Sequence, residues 1–288
     1  MPEIAPPQPS SVEKPPIKVQ NPSVTGDLRL HEFTSWIFRN RRFLRVWLPP
    51  AYDAPENQSQ RYPVLYLNDG QNLFEAQVAF GGVEWQVDET ADRLIREGRI
   101  PPMIIVGIDH AGANRMKEYV PYRSLRPSIL RPRGKRYPDF LIKEVMPFVE
   151  QHYRVATGPE NTGLGGSSLG ALIALYTVID RPKIIGRLLL ESPSLFMSNK
   201  GVLKYSRYLK QGPERVYLAI GTVEAGNRNR DLQVVDDVLQ LERIIRAAGF
   251  GEGQLLVTID QGAPHSEAAW AKRFPEALEF LFGAQAGT

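Results

Sequence analysis

Cysteine is absent from this 288-residue sequence, which excludes disulfide bonds, thiolate metal ligands and cysteine nucleophiles. Long apolar runs are also absent: no run approaches the roughly 18–20 residues that a membrane-spanning helix requires. The formal net charge of +3 is small and is not typical of a nucleic-acid-binding protein. The apolar content of 42% is that of an ordinary globular protein. We therefore expect a globular protein without nucleic-acid or membrane partners.

The N-terminal segment, residues 1–27, is rich in proline, serine and other polar residues and has no hydrophobic periodicity. This composition predicts a flexible tail, followed by one domain over residues 28–288. The first residues lack the basic and apolar regions of a signal peptide, so we expect a cytoplasmic protein. A secreted protein whose leader was removed is the alternative, and the sequence leaves the oligomeric state open.

Short apolar runs alternate with helical patterns throughout the rest of the chain. The runs that predict strands are 28–36, 42–49, 62–68, 103–108, 162–166, 187–191, 216–221 and 254–259. The periodic segments that predict helices are 86–97, 138–153, 169–180, 232–248 and 267–282, with Asp231 as the N-cap and Gly249 as the C′ residue of the fourth. We predict an α/β fold with a mostly parallel central sheet, helices on both faces and antiparallel strands at the N-terminus.

One segment, residues 123–136, concentrates positive charge without any acidic residue. Its cations are Arg123, Arg126, Arg131, Arg133, Lys135 and Arg136. The favoured interpretation is a solvated loop, since runs of charge usually face water. The alternative is a cationic rim that attracts an anionic substrate.

The stretch "TGLGGSSLGALIA" (162–174) predicts a strand, a tight turn and a helix. Ser168 is the serine that satisfies G-x-S-x-G, with Gly166 and Gly170 on either side, whereas Ser167 would have a leucine at the second glycine position. This context is typical of a nucleophile elbow, in which glycines let neighbouring backbone approach a strained turn. A serine N-cap at a glycine-rich helix start is the alternative.

A serine nucleophile needs a base, and the chain offers four histidines. His265 follows the last predicted strand, where the order Ser…acid…His places the base of an α/β-hydrolase. His110 follows another strand and is a candidate to line the pocket. His31 lies in the N-terminal hairpin, and His152 lies near a helix C-terminus, where its charge suits the helix dipole.

The acid is expected in the loop after the strand at 216–221, which contains Glu224 and Asp231. Glu224 is nearer the strand end and is the preferred candidate, whereas Asp231 is better placed as a helix cap. The oxyanion donors are expected to be the backbone N–H groups of Leu169 and of Gln71, in "LNDGQNLF". Asp69 lacks a second ligand at metal-binding spacing, so we expect neither a metal nor a cofactor.

Taken together, these residues resemble the esterase family of α/β-hydrolases that includes enterochelin-type siderophore esterases, feruloyl and acetyl-xylan esterases and mycolyltransferases. The resemblance covers residues 40–282. Its motifs are "VLYLNDGQNLF", "GIDHAG…EYVPYRS", "GLGGSSLGALIAL", "ESPSLF", "GTVE" and "HSEAAWAKRFPEALEFL". Full-length enterochelin esterases carry an N-terminal β domain, whereas here a hairpin at 28–49 precedes the core.

The resemblance implies a serine carboxylic-ester hydrolase with Ser168 as nucleophile, His265 as base and Glu224 as acid. Some siderophore esterases use a Ser–His dyad, so the role of Glu224 stays open. The substrate implied is a small ester, with siderophore-like, aromatic or acetyl esters as the classes. His110, Trp85, Tyr122 and Phe196 are the candidate substrate-binding residues, and the aromatic ones could equally be core. An acyltransferase and a non-catalytic binding protein are the alternative functions.

Overall fold

The computed structural model describes residues 15–124, 131–209 and 212–284. Its centre is a β-sheet with the strands β1 (Ile17–Lys18), β2 (Asp27–Ser35), β3 (Asn40–Leu48), β4 (Val64–Asn68), β5 (Ile104–Ile108), β6 (Thr162–Ser167), β7 (Arg187–Glu191), β8 (Arg215–Val223) and β9 (Leu255–Pro264). Over these ranges the strand order is β1-β2-β3-β5-β4-β6-β7-β8-β9.

The sheet is antiparallel at its N-terminal edge and parallel elsewhere. β2 pairs antiparallel with both β1 and β3, and β3 pairs antiparallel with β5. From β5 through β4 and β6 to β9, every neighbouring pair is parallel. The continuous apolar runs of β4 and β5 are buried along their whole length, as strands covered on both faces must be. The predicted α/β fold with N-terminal antiparallel strands is confirmed.

Helices cover both faces of this sheet. They are α1 (Val87–Arg96), α2 (Arg115–Tyr119), α3 (Tyr137–Phe140), α4 (Met146–His152), α5 (Leu169–Asp180), α6 (Met197–Tyr205), α7 (Arg228–Ala247) and α8 (Glu267–Phe282), with a π-helical turn at Leu141–Val145 between α3 and α4. Alternate residues of β4 enter two separate cores: Val64 and Tyr66 pack with α5 and α7, while Leu65 and Leu67 pack with α1 and α8. In the described ranges, no helix has the length and hydropathy needed to cross a bilayer.

The tail predicted for residues 1–27 differs from the structure where the structure describes it. Ile17 pairs with Leu30, the indole of Trp47 donates to the Thr25 carbonyl at 2.7 Å, and the Thr25 N–H donates to Asp88 at 2.6 Å. These backbone hydrogen bonds attach residues 15–27 to the domain, a pattern that polar composition does not reveal. Residues 1–14 lie outside the described residues.

Helix α7 begins earlier than predicted, because Asn227 rather than Asp231 caps it. The Asn227 side chain accepts a hydrogen bond from the Arg230 N–H at 3.0 Å. Gly249 does follow the helix in the left-handed region, with φ of 102°. The expected C′ glycine is therefore confirmed, and the expected cap is wrong by four residues.

The basic segment has structural contacts where it is described. Arg133 donates to the carbonyls of Ile37 and Phe38, each at 3.1 Å, so this cation anchors the loop to the β2–β3 hairpin. The Lys135 ammonium lies 5.4 Å from the ring centre of Tyr122. Arg126, within 125–130, lies outside the described residues.

Candidate active site

Three side chains of the expected chemistry follow three strands of the parallel sheet. Ser168 comes directly after β6, Glu224 after β8 and His265 after β9. β7 separates β6 from β8, and β8 pairs with β9. Because the carboxyl ends of parallel strands lie at one edge, the fold brings these three residues to the same edge, where α/β proteins place reactive groups.

The turn that carries Ser168 is strained. Ser168 has φ of 55° and ψ of −119°, a region that residues with a side chain rarely occupy, and α5 begins at the next residue. A Cβ atom at either Gly166 or Gly170 would lie 3.0 Å from the Asn68 Cβ atom. The Asn68 amide donates to the Gly170 carbonyl at 2.8 Å. Both glycines are therefore needed for the turn to pack against the end of β4.

Hydrogen bonds from the segment after β7 hold this strained serine. The Ser168 N–H donates to the Glu191 carbonyl at 2.9 Å, and the Ser194 N–H donates to the Ser168 carbonyl at 3.1 Å. The two hydroxyl oxygens of Ser168 and Ser194 are 3.1 Å apart. Ser167, the last residue of β6, is buried. Of the two adjacent serines, Ser168 is therefore the more accessible to a substrate.

His265 and Glu224 form a hydrogen-bonded pair. The Nδ1 atom of His265 bonds to the Oε2 atom of Glu224, and the other carboxylate oxygen accepts from the Gly221 N–H at 2.8 Å and the Ser192 hydroxyl at 2.7 Å. Burial acts to raise the pKa of Glu224, but the hydrogen bonds from His265, Ser192 and Gly221 outweigh it and lower the pKa. The Glu224 side chain is thus held as a carboxylate.

Trp270 completes the surroundings of this pair. Its indole Nε1 donates to the Ser192 hydroxyl at 3.0 Å. Its ring meets the His265 ring edge to face, with centroids 5.0 Å apart and an interplanar angle of 87°. Sequence reasoning gave Ser192 and Ser194 no role, because single serines in "ESPSLF" carry no distinctive spacing.

The other acid and histidine candidates have different partners. Asp231 accepts the Ala225 N–H at 2.6 Å and so stabilises the loop that presents Glu224. His31 shares a hydrogen bond with the Tyr153 hydroxyl at 2.6 Å, on the antiparallel side of the sheet. His152 bonds to the Phe148 carbonyl in α4. His265 has a carboxylate partner on Nδ1, as a catalytic base requires.

The predicted oxyanion donors lie at two helix starts. Leu169 is the first residue of α5, and Gln71 is the second residue of the 3₁₀ turn Gly70–Asn72 after β4. The first N–H groups of a helix have no partner within it, so both are free to donate elsewhere. A Cβ atom on Gly70 would lie 2.6 Å from the Gly107 carbonyl carbon, which makes glycine necessary for this turn to lie against β5.

Charged groups surround the turn that contains Gln71. Arg115 binds Asp69 with two hydrogen bonds of 2.7 Å each. Glu267, the first residue of α8, accepts a hydrogen bond from the Asn72 amide at 3.4 Å, and burial raises its pKa. The His110 N–H donates to the Gln71 side-chain oxygen at 3.2 Å, and burial lowers the pKa of the imidazole.

The predicted substrate-binding residues fall into different environments. Trp85 is 2% exposed and packs against Trp270 and Phe274, so this prediction is corrected: Trp85 belongs to the core beneath the site. His110 is half-buried beside Gln71, and Phe196 is exposed after β7. Tyr122 is half-buried and lines a surface cavity of about 520 Å³ with Gly201, Lys204, Tyr205, Arg207 and Tyr208.

Within the part of the chain that the structure describes, one carboxylate group is compact enough to share a cation. Glu84, Asp88 and Glu89 offer oxygen atoms that all lie within 4.8 Å of one another. Burial raises the pKa of Asp88 to about 8, so this carboxyl tends to keep its proton at neutral pH. The group lies at the start of α1 and contains none of the residues that follow β6, β8 and β9.

Comparison with known proteins identifies the family. The family described as "Putative esterase" matches residues 35–281. The protein YbbA of Bacillus subtilis (strain 168), described as uncharacterised, is 29% identical over 255 residues, covering 86% of this chain and 95% of YbbA. The iron(III) enterobactin esterase of Dickeya dadantii (strain 3937) is 26% identical over 220 residues, covering 71% of this chain and 45% of that protein.

Solved structures share the fold at lower identity. The BES protein from Bacillus cereus superposes with a TM-score of 0.72 at 19% identity, covering 96% of this chain and all of that one. The siderophore hydrolase EstB from Aspergillus nidulans superposes with a TM-score of 0.68 at 17% identity, covering 93% of this chain and 98% of EstB. A ferulic acid esterase from Anaeromyces mucronatus superposes with a TM-score of 0.62 at 21% identity, covering 94% of this chain and 92% of that one.

Proposed function

This chain belongs to the esterase family of α/β-hydrolases, a family of carboxylic-ester hydrolases, and from that premise we propose that Ser168, His265 and Glu224 are its catalytic triad. The observation that carries the proposal is the hydrogen bond between His265 Nδ1 and Glu224 Oε2, at the strand ends that also carry Ser168 in its strained turn. A carboxylate on Nδ1 holds the imidazole in the tautomer that leaves Nε2 free to accept a proton.

The reaction proceeds by acyl transfer to serine. His265 Nε2 takes the proton of the Ser168 hydroxyl as its oxygen attacks the ester carbonyl, and the imidazolium is stabilised by the Glu224 carboxylate. The tetrahedral intermediate collapses, the C–O bond to the alcohol breaks, and His265 returns the proton to the leaving oxygen. A water molecule activated by the same imidazole then hydrolyses the acyl-enzyme and regenerates Ser168.

The N–H groups of Leu169 and Gln71 are the proposed oxyanion donors. Their positions at the starts of α5 and of the 3₁₀ turn support this role, because the first backbone N–H groups of such segments have no partner within them. Loss of one such donor typically lowers the rate by about 10²–10³-fold. The hole therefore supplies a large share of the proposed acceleration.

The substrate class we propose is a small ester with an aromatic or siderophore-like acyl group. Two relatives, the enterobactin esterase and the siderophore hydrolase, support the siderophore-like class, and the ferulic acid esterase supports an aromatic acyl group. Within the chain, exposed Phe196 and half-buried Tyr122 offer aromatic surface on the side of β7 and α6.

Hydrolysis of p-nitrophenyl acetate and butyrate by the purified protein tests the chemistry. We expect turnover by the wild type and by Ser167→Ala, and activity near background for Ser168→Ala. Ser167→Ala is the matched control, since it removes the neighbouring hydroxyl on the buried side of the turn. Full activity of Ser168→Ala would refute the nucleophile. A panel of feruloyl, acetyl-sugar and trilactone esters then identifies the acyl group.

A further inference from the structure

Four side chains form a closed ring of contacts around the proposed acid. Trp270 donates to Ser192, Ser192 donates to Glu224, Glu224 binds His265, and the His265 ring packs against Trp270. The Ser192 hydroxyl accepts from the indole and donates to one carboxylate oxygen of Glu224, while the other carboxylate oxygen binds His265. The ring of contacts therefore fixes the carboxylate and the imidazole together. We refer to Ser192, Glu224, His265 and Trp270 as the clamp.

Ser192 is buried, and its hydroxyl contacts Glu224 rather than solvent. It is 2% exposed, and its N–H donates to the Ala219 carbonyl of β8 at 2.8 Å. Its φ of 45° is unusual for a residue with a side chain, and this conformation is held by the surrounding structure. Its hydroxyl accepts a hydrogen bond from the Trp270 indole and donates one to the Glu224 carboxylate, so the orientation of the O–H group is fixed.

Trp270 links the clamp to the core. It is 4% exposed, and its ring centre lies 5.7 Å from that of Trp85. The indole N–H is therefore fixed by packing on one side while it orients the Ser192 hydroxyl on the other. The contact between this ring and the imidazole restricts rotation of His265 about its Cβ–Cγ bond.

We propose that Ser192 and Trp270 are positioning residues that hold Glu224 and His265 in one productive geometry. The inference rests on the proposed function, because it assigns a role within that same site. Neither side chain touches substrate: both are buried, and both act through the carboxylate and the imidazole. Their loss should lower the rate of the chemical step and leave substrate binding unchanged.

The test combines kinetics with a spectroscopic signature of the His265–Glu224 hydrogen bond. Ser192→Ala removes the donor to the carboxylate, and Trp270→Phe removes the indole N–H but keeps an aromatic ring beside His265. We expect each to lower kcat by about tenfold with KM unchanged, the size of effect that a single hydrogen bond of about 1.4 kcal/mol produces. The downfield proton resonance of the His265 Nδ1–H should shift or broaden in both variants.

Two matched controls separate this role from general loss of buried groups. Ser206→Ala removes a fully buried hydroxyl that donates to the Val202 carbonyl, and Trp47→Phe removes a buried indole N–H that donates to the Thr25 carbonyl. Both should keep the resonance and the wild-type kcat. Because both variants of the clamp break one chain of hydrogen bonds, the double variant should be little worse than either single variant.

These experiments distinguish failure of the clamp from failure of the proposed ester hydrolysis. An unchanged resonance in Ser192→Ala and Trp270→Phe overturns the clamp, as does a raised KM at constant kcat or a fully additive double variant. If the wild type hydrolyses no ester but the resonance is present and is lost in both variants, the clamp stands and the proposed activity fails. Thermal unfolding of Ser192→Ala, the smaller change, verifies that the fold is retained.

Discussion

Two histidines, His265 and His31, pack against aromatic rings in nearly the same way at opposite edges of the sheet. His265 meets Trp270 at 5.0 Å and 87°, and His31 meets Phe148 at 5.1 Å and 84°. Their other surroundings differ: His265 is exposed and bonded to a carboxylate, whereas His31 is 4% exposed and bonded to a tyrosine hydroxyl. Aromatic packing alone thus does not distinguish the proposed catalytic imidazole from the structural one.

The surroundings of the two imidazoles suit them to different roles. A carboxylate on Nδ1 stabilises an imidazolium when a proton arrives, which a general base requires. At His31, burial together with the nearby charges of His152 and Arg29 lowers the pKa to about 4, so the ring stays neutral at physiological pH. The comparison predicts that replacement of His265 removes catalysis and that replacement of His31 changes how stability depends on pH.

Replacement of the imidazole gives the largest expected contrast. His265→Ala should lower kcat for p-nitrophenyl butyrate by about 10⁴–10⁶-fold, because Ser168 then lacks a base. His31→Ala should leave kcat within about twofold when assayed below its unfolding temperature. Steady-state kinetics of both variants measure the difference. Comparable losses of kcat at the two positions would break the comparison.

Removal of the carboxylate partner tests why His265 differs. Glu224→Gln should lower kcat by about 10³–10⁴-fold, because the amide no longer stabilises the imidazolium and can favour the wrong tautomer. Glu242→Gln is the control, since this carboxylate lies on α7 and pairs with Arg246 instead. A larger loss in Asp231→Asn than in Glu224→Gln would transfer the acid role to Asp231, and full activity of Glu224→Gln would indicate a Ser–His dyad.

The buried His31 should affect how the free energy of unfolding depends on pH in the acid range. The folded-state pKa of His31 is about 4 against an ordinary value of 6.5, so the unfolded chain binds the extra proton between these pH values. Its contribution is therefore present above pH 6.5 and is lost as pH falls toward 4. We expect His31→Gln to flatten that decline by about 3 kcal/mol, measured by urea unfolding from pH 4 to 7.

An unaltered decline in His31→Gln would show that other groups cause the acid sensitivity. Glu191 acts in the opposite direction: burial raises its pKa to about 7 despite the paired Arg273. The folded state therefore binds the extra proton there, and this group favours the folded state toward the acid end of the same window. Comparison of the variant with the wild type removes that shared background.

The smallest expected effect is at the hydroxyl partner of His31. Tyr153→Phe should lower the free energy of unfolding by about 1 kcal/mol at pH 7, because one buried hydrogen bond is lost, and should leave kcat unchanged. Chemical denaturation and the ester assay measure the two quantities on one preparation. A large loss of kcat would show that the antiparallel edge influences the site, contrary to the comparison.

The sequence predicts those parts of the molecule that depend on residues close together in the chain. The runs that became β4 to β9 are continuous and apolar, and Gly166 and Gly170 flank Ser168 as the turn requires. α6 was not predicted, because its first turn contains residues in the left-handed region and its middle contains Gly201. Asp231 was misplaced as a cap, since the polar first turn of α7 has no apolar periodicity to extend the prediction.

The parts that depend on tertiary contacts could not be predicted. Trp85 reads equally well as a pocket residue or a core residue until its packing against Trp270 is known. Ser192 acquires its role from Glu224, 32 residues away, and from Trp270, 78 residues away. Likewise, composition predicts a tail for residues 15–27, because it does not reveal their hydrogen bonds with Trp47 and Asp88.

The short segment Ser192–Ser194 after β7 has a consequence for how such a protein can diversify. Ser192 binds Glu224 and Ser194 touches Ser168, so the proposed acid and the proposed nucleophile are both supported by residues beyond Ser168. Of the predicted substrate-binding residues, His110 and Tyr122 lie in the other half, after β5, whereas Phe196 lies beyond Ser168. Substitution of Tyr122, which packs against Tyr176 and Tyr205, is therefore expected to change which esters are accepted while the acyl-transfer chemistry is kept.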